Sequence, residues 1–330
     1  MICSTLSVKF KALTVFSMMA VLYIHAKILE SAYWPLVDFI QRFVNNFARF
    51  AVPTFFIISG YCFFNNITKT ADIYLKIKKR TKTLLIPYLF WCTTFIIIVT
   101  LGGLVVKSHT EYIGLLSEGD YFGFIRYVFW TPAAFHLWYV RDLYIIVCIT
   151  PLLYLLLKKV PWIIVLLSYI FYACNILPTL MQGVFFFSIG AFYSIHSREP
   201  FKEINPYLAL LFFFLSLILM QLNYTANFIR MGLCLFLTIG VWRVYDFLPW
   251  FFSSPLILKI SSYSFFVYCA HIPLLTFIKS AIFPCLIGGH VGAMLSFIIS
   301  PIICVIVLLV IAYLLKRISP SCYYLITGGR

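Results

Sequence analysis

The sequence predicts an all-α protein that crosses a membrane about ten times, with both termini in the cytoplasm. Of its 330 residues, 63% are hydrophobic and only 11% are charged, whereas soluble domains carry about 25% charged residues. Apolar runs of helix length recur along the chain, without the alternating ten-residue segments of a membrane β-barrel. The net charge of +15 collects in alternate loops, which indicates membrane orientation and no nucleic-acid partner.

Ten apolar segments satisfy this alternation of charge. The loop from Asn65 to Thr83 carries six Lys or Arg against Asp72 alone and is predicted to be cytoplasmic. The mixed loop from Lys107 to Phe135 and the semi-polar segment from Ile28 to Asn46 are predicted to be external. We expect one membrane domain over residues 1–330, without a separate soluble domain. The predicted helices cover about residues 9–27, 47–64, 84–106, 136–157, 162–177, 181–195, 206–222, 228–244, 262–283 and 291–315.

The ten cysteines show no CxxC pair and no Cys/His cluster with metal-ligand spacing. Most of them fall in or at the ends of apolar runs, where cysteine packs as a small hydrophobic residue. The sequence therefore predicts neither a metal site nor a disulfide framework.

The first predicted helix carries one ionisable side chain near its far end, His25. Counted from Lys11 at 1.5 Å per residue, this imidazole lies roughly 20 Å into a membrane core about 30 Å thick. A titratable group at that depth indicates a function, and an imidazole suits a general base that deprotonates a hydroxyl. The alternative is a histidine satisfied by a neighbouring backbone carbonyl.

The fourth predicted helix begins with several costly polar groups. His136, Arg141 and Asp142 lie in its first turns, together with Trp138. Arg141 and Asp142 are adjacent in sequence, so we expect them to point to different sides of the helix and not to need each other as partners. An interfacial ion pair with other helices is the alternative for the two charges, and the aromatic belt of the membrane is the alternative for Trp138.

The ninth predicted helix places His271, which follows Tyr268, near mid-depth. These groups predict a polar cavity that opens outward, with a basic mouth at Lys78 to Lys82 on the cytoplasmic side. Such a mouth suits a phosphorylated ligand, although cytoplasmic loops are basic in any case. The combination indicates transfer of a group across the membrane. A transporter or flippase for a lipid-linked sugar or small metabolite would also account for it.

Five stretches, taken together and in order, resemble acyltransferase family 3. The members of this family are integral-membrane O-acyltransferases, many of which acetylate bacterial surface polysaccharides. The resemblance covers helices 1 to 4 and helix 9. It is carried by the helix-1 histidine, FFIISGY at Phe55–Tyr61, KKRTKTLLIPY at Lys78–Tyr88, HLWYVRDL at His136–Leu143 and SYSFFVYCAH at Ser262–His271.

The resemblance implies a multi-pass protein of the bacterial inner membrane that takes an acetyl group from cytoplasmic acetyl-CoA. The acceptor would be a hydroxyl of a surface polysaccharide, such as O-antigen or capsule, or of its lipid-linked precursor. His25 would be the catalytic base, with an acetyl-histidine intermediate as an alternative. The donor would bind at Lys78, Lys79, Arg80 and Lys82. The residues predicted on the acceptor or oxyanion side are Ser59, His136, Trp138, Arg141, Asp142, Tyr268 and His271.

Two positions depart from the family pattern. Thr14 stands where most members carry an arginine, eleven residues before the histidine, and Lys11 lies one turn earlier on the same face and could supply the positive charge. Thr83 stands where the family has a second arginine before the helix-3 proline. Both departures concern donor binding more than the chemistry.

Overall fold

The computed structural model describes residues 4–28, 34–105, 118–130, 134–222, 226–282 and 289–329. Within these ranges every regular element is a helix, which confirms the predicted all-α class. Three π-helical segments, Thr81–Leu85, Arg126–Trp130 and Ile278–Ile282, and one 3-10 turn, Phe135–Leu137, join or extend the α-helices. In chain order the α-helices are α1 (Ser4–His25), α2 (Pro35–Ala48), α3 (Ala51–Phe64), α4 (Thr70–Arg80), α5 (Ile86–Val105), α6 (Tyr121–Ile125), α7 (Trp138–Cys148), α8 (Thr150–Lys159), α9 (Pro161–Ala173), α10 (Pro178–Ile195), α11 (Pro206–Gln221), α12 (Asn227–Phe247), α13 (Pro249–Phe252), α14 (Pro255–Ser261), α15 (Ser264–Phe277), α16 (Gly289–Ile318) and α17 (Pro320–Thr327).

Six helical stretches in the described ranges are long and apolar enough to cross a bilayer, and two bent pairs raise the number to eight. The bends lie between α7 and α8, at 68°, and between α14 and α15, at 71°. The two remaining predicted segments correspond to α9 and α11, with 13 and 16 residues, which is short of the roughly 20 residues that a straight span needs. The count of ten and the cytoplasmic termini therefore stay predictions.

Most of the semi-polar segment from Ile28 to Asn46 is helical, because it contains the greater part of α2; its external location stays a prediction. Pro35 occupies the first turn of α2, where its missing N–H costs nothing. On the exposed side, Arg42 Nε contacts Asp38 Oδ2 at 2.9 Å, one turn apart. The chain stays helical through Arg49, so α2 and α3 form one stretch of 30 residues.

The predicted cytoplasmic loop from Asn65 to Thr83 also contains a helix, α4. The Asp72 carboxylate starts this helix by accepting hydrogen bonds from the backbone N–H groups of Thr68 and Lys69, each at 2.9 Å. The π-helical segment Thr81–Leu85 then carries α4 directly into α5. The basic residues of this region therefore stand on a rigid helical arm.

The helix α1 runs through the centre of the bundle. Leu6, Phe10 and Leu13 in its first half belong to one buried apolar cluster, and Met18 and Leu22 in its second half belong to another. Since each cluster is built with different neighbouring helices, α1 is fixed along its whole length. Its last residue, His25, is placed by this packing.

The helices α3 and α10 approach each other closely through two glycines. A Cβ atom on Gly60 would lie 2.1 Å from the carbonyl oxygen of Phe187, and one on Gly190 would lie 2.0 Å from the carbonyl oxygen of Ile57. Small residues allow such close backbone contact in membrane bundles. Gly60, which belongs to the SGY motif, therefore serves helix packing.

Candidate active site

Three imidazoles from separate parts of the chain meet at one end of α1. The ring centroid of His271 lies 5.3 Å from that of His25 and 5.0 Å from that of His136. His136 and His271 are buried, with 2% and 0% of their surface exposed, whereas His25 is partly exposed. The ring of Phe135 packs edge-on against His25, with the centroids 5.4 Å apart. The structure thus joins into one cluster three residues that the sequence identified singly.

Two of these imidazoles have their tautomer set by a backbone carbonyl. Nε2 of His136 lies 3.0 Å from the carbonyl oxygen of Cys269, and Nδ1 of His271 lies 2.6 Å from that of Tyr268. A carbonyl oxygen only accepts, so both of these nitrogens carry the proton. The other nitrogen of each ring, Nδ1 of His136 and Nε2 of His271, is then a buried lone pair, and neither has a partner among the described residues.

The carbonyl that binds His136 lacks its usual helical donor because of a proline. Pro273 lies inside α15, four residues after Cys269, and proline has no N–H for the usual helical hydrogen bond. The Cys269 carbonyl therefore loses its helical donor, and His136 replaces it. This relation between Pro273 and a histidine of another helix was not predicted from the sequence.

The cluster can accept protons and hydrogen bonds but has no carboxylate in it. Lone-pair nitrogens of neutral imidazoles bind hydroxyl donors and serve as general bases. Within the described ranges, no group of three or more His, Cys, Asp or Glu side chains has the geometry of a metal site. The arrangement is suited to an alcohol that enters the cluster and gives up its proton.

Lys279 holds the end of α1 that carries His25. Its Nζ donates to the carbonyl oxygen of His25 at 2.8 Å and to that of Lys27 at 3.1 Å. A lysine at a helix C-terminus satisfies carbonyls that have no helical donor and interacts favourably with the helix dipole. The sequence analysis missed this residue, although a lysine within the predicted ninth helix was a signal.

A cavity of about 240 Å³ lies beside Tyr268, whose carbonyl and hydroxyl contact His271 and the His136 carbonyl. Its wall contains Thr14 of α1, Ser59 of α3 and Tyr139 of α7, and the serines at the bend between α14 and α15. The hydroxyls of Ser59 and Tyr139 are 3.1 Å apart. The Tyr268 hydroxyl is already used, because it donates to the carbonyl oxygen of His136 at 2.5 Å. Thr14, which stands where most family members carry an arginine, thus lies in the wall of this cavity.

The predicted site residues of α7, namely Trp138, Arg141 and Asp142, are not among the described residues that line this cavity. Trp138 packs on Phe56 of α3, with ring centroids 6.5 Å apart. The expectation that Arg141 and Asp142 need not pair is wrong, since Arg141 Nε and Nη2 each lie 2.8 Å from Asp142 Oδ1. Asp142 is 1% exposed, and a buried carboxylate requires a counter-charge, which the long arginine side chain supplies by folding back. Arg141 also donates to the carbonyl of Trp130, so the pair fastens α7 to the segment Arg126–Trp130.

The basic arm α4 crosses α3 at its C-terminal end, which is the end far from the histidines. Lys76 Nζ donates to the carbonyl oxygen of Phe63 at 2.6 Å, and the Thr81 hydroxyl lies 3.2 Å from the Tyr144 hydroxyl of α7. The residues after α17 pack against the end of the same arm, since a Cβ atom on Gly328 would lie 2.4 Å from the carbonyl oxygen of Thr83. Of the predicted donor-binding residues, Arg80 is partly buried and the others are exposed, namely Lys11, Lys78, Lys79 and Lys82.

A buried charge cluster at the beginning of α1 was also missed. Lys9 is 2% exposed, and its Nζ lies 2.9 Å from Asp246 Oδ1 and 3.6 Å from Glu199 Oε1. Arg243 Nη1 contacts the other oxygen of Asp246 at 2.5 Å. The sequence analysis used Lys9 only to mark the start of the first helix. Glu199 and Asp246, two of only ten acidic residues in the chain, were the available signal.

Comparison with known proteins agrees with the motifs. A family model described as "Acyltransferase domain" matches residues 10–317. Among curated proteins, the succinoglycan biosynthesis protein ExoH of Rhizobium meliloti (strain 1021) is 25% identical over 320 residues, which cover 89% of this chain and 83% of that protein. No solved structure matches the chain.

Proposed function

The chain belongs to the acyltransferase family whose model it matches over residues 10–317, and from this membership we propose that it is a membrane O-acetyltransferase. It would move an acetyl group from cytoplasmic acetyl-CoA to a hydroxyl of a surface polysaccharide, such as O-antigen or capsule, or of its lipid-linked precursor. The relative from Rhizobium is named for polysaccharide biosynthesis, which supports this class of acceptor. The bacterial inner membrane is the location that such a reaction requires.

The observation that carries the proposal is the meeting of His25, His136 and His271 at the end of α1, beside a cavity whose wall contains Thr14 and Tyr268. This cavity measures about 240 Å³, and the described residues that line it are all uncharged. It therefore offers room for the thioester end of a pantetheine arm but no cation for the phosphates of a nucleotide. The nucleotide of the donor would therefore remain outside the bundle, where cations are exposed.

The exposed cations of the basic arm and of α1 are the donor-binding residues of this proposal. Lys78, Lys79 and Lys82 present ammonium groups, Arg80 a guanidinium, and all suit the phosphates of coenzyme A. Lys11 lies three residues before Thr14 of the cavity wall, on the same face of α1. It takes the place of the missing family arginine at the cavity entrance.

At the end of α1, His25 takes the proton of the acceptor hydroxyl. The alkoxide oxygen attacks the thioester carbonyl carbon, the C–S bond breaks, and the coenzyme A thiolate leaves and receives a proton. His25 is the last residue of α1, where the negative end of the helix dipole favours the imidazolium that forms. An acetyl-histidine intermediate on His25 is the alternative route.

The developing oxyanion needs a hydrogen-bond donor in the cavity. Ser59 and Tyr139 have hydroxyl groups there that are within 3.1 Å of each other. His136 is less suited to this role, because its N–H is directed at the Cys269 carbonyl. His136, with the lone pair on its Nδ1, would instead accept a hydrogen bond from a hydroxyl of the acceptor.

The test compares surface glycans from cells that carry the wild-type chain, His25→Gln or His196→Gln. His196 is exposed at the end of α10 and serves as the matched control. We expect O-acetyl signals in the proton NMR spectrum that mild alkali removes, present with the wild type and the control and absent with His25→Gln. O-acetylation that persists with a folded His25→Gln protein would contradict the role of His25. A change in glycan amount without O-acetyl groups would indicate a transporter or flippase.

The donor is tested separately with isolated membranes and radiolabelled acetyl-CoA. We expect transfer of label to glycan, and its absence with His25→Gln. Transfer from a different acyl-CoA thioester, with no label transferred from acetyl-CoA, would keep the acyltransferase and replace the donor.

A further inference from the structure

His271 and His25 form a pair whose geometry is unusual for a membrane interior. Their rings belong to α15 and α1, with centroids 5.3 Å apart and planes tilted by 41°. Nδ1 of His271 donates to the Tyr268 carbonyl at 2.6 Å, so Nε2 is a lone pair. That nitrogen is fully buried and has no partner among the described residues. A buried acceptor of this kind is costly unless a donor reaches it.

The ring of His25, in turn, has an N–H group that needs a hydrogen-bond acceptor. A neutral imidazole that offers a lone pair to an alcohol carries its proton on the other ring nitrogen. In the described part of the chain, the ring of His25 contacts the rings of Phe135 and His271 and makes no hydrogen bond. The N–H of a partly buried ring gains stability from an acceptor, and Nε2 of His271 is the unpartnered acceptor on the neighbouring ring.

The distance between the two ring centroids is compatible with a hydrogen bond between the imidazoles. A linear N–H···N bond of about 2.9 Å between two imidazoles places their centroids roughly 5 Å apart, close to the 5.3 Å observed. His136 is less suited as the partner of His25, because its ring lies beyond His271, at 5.0 Å from it. His271 is therefore the middle ring of the three.

We infer that His271 is a positioning residue that accepts the N–H of His25. In the ground state this bond fixes the tautomer of His25 and directs its lone pair at the acceptor hydroxyl. When His25 takes the hydroxyl proton, the second N–H of the imidazolium is stabilised by His271, and the Tyr268 carbonyl stabilises the polarised His271 ring in turn. The inference rests on the proposed function only in the part that concerns the alcohol.

An imidazole in this role avoids a charge in the resting site. In many hydrolases a carboxylate orients the catalytic histidine, but a carboxylate in a membrane interior requires its own counter-charge. The ammonium of Lys279 lies near His25 and donates hydrogen bonds to the carbonyls of His25 and Lys27. A neutral acceptor therefore orients His25 without an ion pair.

The test uses the full-length protein in lipid bilayers, with ¹⁵N-labelled histidine and without substrate. The signal of His25 is assigned by comparison with His25→Gln. We expect a single His25 tautomer whose N–H is bonded to an imidazole nitrogen. In His271→Leu this signature should disappear, whereas in the control His290→Leu, an exposed position near the start of α16, it should remain. A His25 tautomer unchanged in His271→Leu would overturn the inference, whether or not the chain proves to be an acetyltransferase.

Turnover supplies the second measurement. We expect His271→Leu to lower kcat by roughly 10²- to 10⁴-fold, as loss of the orienting group of a catalytic histidine does, with KM for acetyl-CoA unchanged. His271→Gln, whose side-chain oxygen can accept the same N–H, should recover part of kcat and keep one His25 tautomer. A wild-type kcat in His271→Leu would overturn the inference. Absence of acyl transfer by the wild type would remove the proposed function and leave the NMR result to decide the role of His271.

Discussion

The two ends of α1 hold polar groups in opposite ways. At one end Lys9 is buried among carboxylates, and each charge has a partner within 3.6 Å. At the other end His25 meets two buried imidazoles whose lone pairs have no partner among the described residues. Paired charges add rigidity, whereas buried lone pairs are costly unless a donor reaches them. We therefore expect α1 to be anchored at one end and reactive at the other.

The comparison is tested most strongly at the reactive end. We expect His25→Ala to lower turnover by roughly 10²- to 10⁴-fold, the usual contribution of a general base, with the unfolding temperature in detergent unchanged. Acyl transfer with isolated membranes and thermal unfolding of the purified protein measure the two quantities. A large loss of stability with little loss of turnover would assign His25 to structure.

The reverse outcome is expected at the anchored end. Removing one partner of a buried ion pair costs about 3–5 kcal/mol, but Asp246 and Glu199 keep 30% and 27% exposure, so we expect Lys9→Met to lower the free energy of unfolding by about 2 kcal/mol. Turnover of the folded fraction should be unchanged. Adding Asp246→Asn to Lys9→Met should recover part of the loss, and a larger loss in the double variant would show that the two residues do not act as a pair.

Lys279 sharpens the comparison, because it stabilises the backbone at the reactive end. Lys279→Met removes the donor to the carbonyls of His25 and Lys27, so we expect kcat to fall about tenfold, the equivalent of one hydrogen bond of about 1.4 kcal/mol. KM for acetyl-CoA should stay the same. Lys279→Arg, which keeps a cationic donor, should retain most of kcat. A change confined to KM would indicate that Lys279 contacts the donor.

The smallest effect is expected on the basic arm. Arg80→Gln removes one proposed phosphate contact, so we expect KM for acetyl-CoA to rise several-fold, with kcat unchanged. Lys159→Gln, an exposed cation at the end of α8, is the matched control and should change neither constant. Equal KM values for the wild type and Arg80→Gln would remove Arg80 from the donor site.

The sequence predicted the class of the protein and much of the site through local signals. Apolar runs and alternating basic loops located the helices, and the depth of His25 made it a candidate functional residue. The same local signals failed for α2 and α4, since charged and polar residues there suggested irregular connections. Both are helices because their turns are satisfied locally, by Pro35 at the start of α2 and by the Asp72 cap of α4.

The pairing of groups could not be predicted in this way. Adjacent residues on a helix were expected to diverge, yet Arg141 folds back on Asp142 because the buried carboxylate has to be neutralised. The Cys269 carbonyl is available to His136 only through Pro273 and the approach of two helices. Neither relation is visible in a pattern of neighbouring residues.

By itself the sequence determined that the chain is a helical membrane protein and that His25 lies near one end of its first span, because composition and helix period act over a few turns. Only the tertiary structure decided which groups surround that imidazole. His271 is 246 residues away from His25 in the sequence, and Lys279 lies eight residues after His271. Their arrival at the end of α1 depends on the 71° bend between α14 and α15 and on the packing of α15 against α1, which no local pattern encodes.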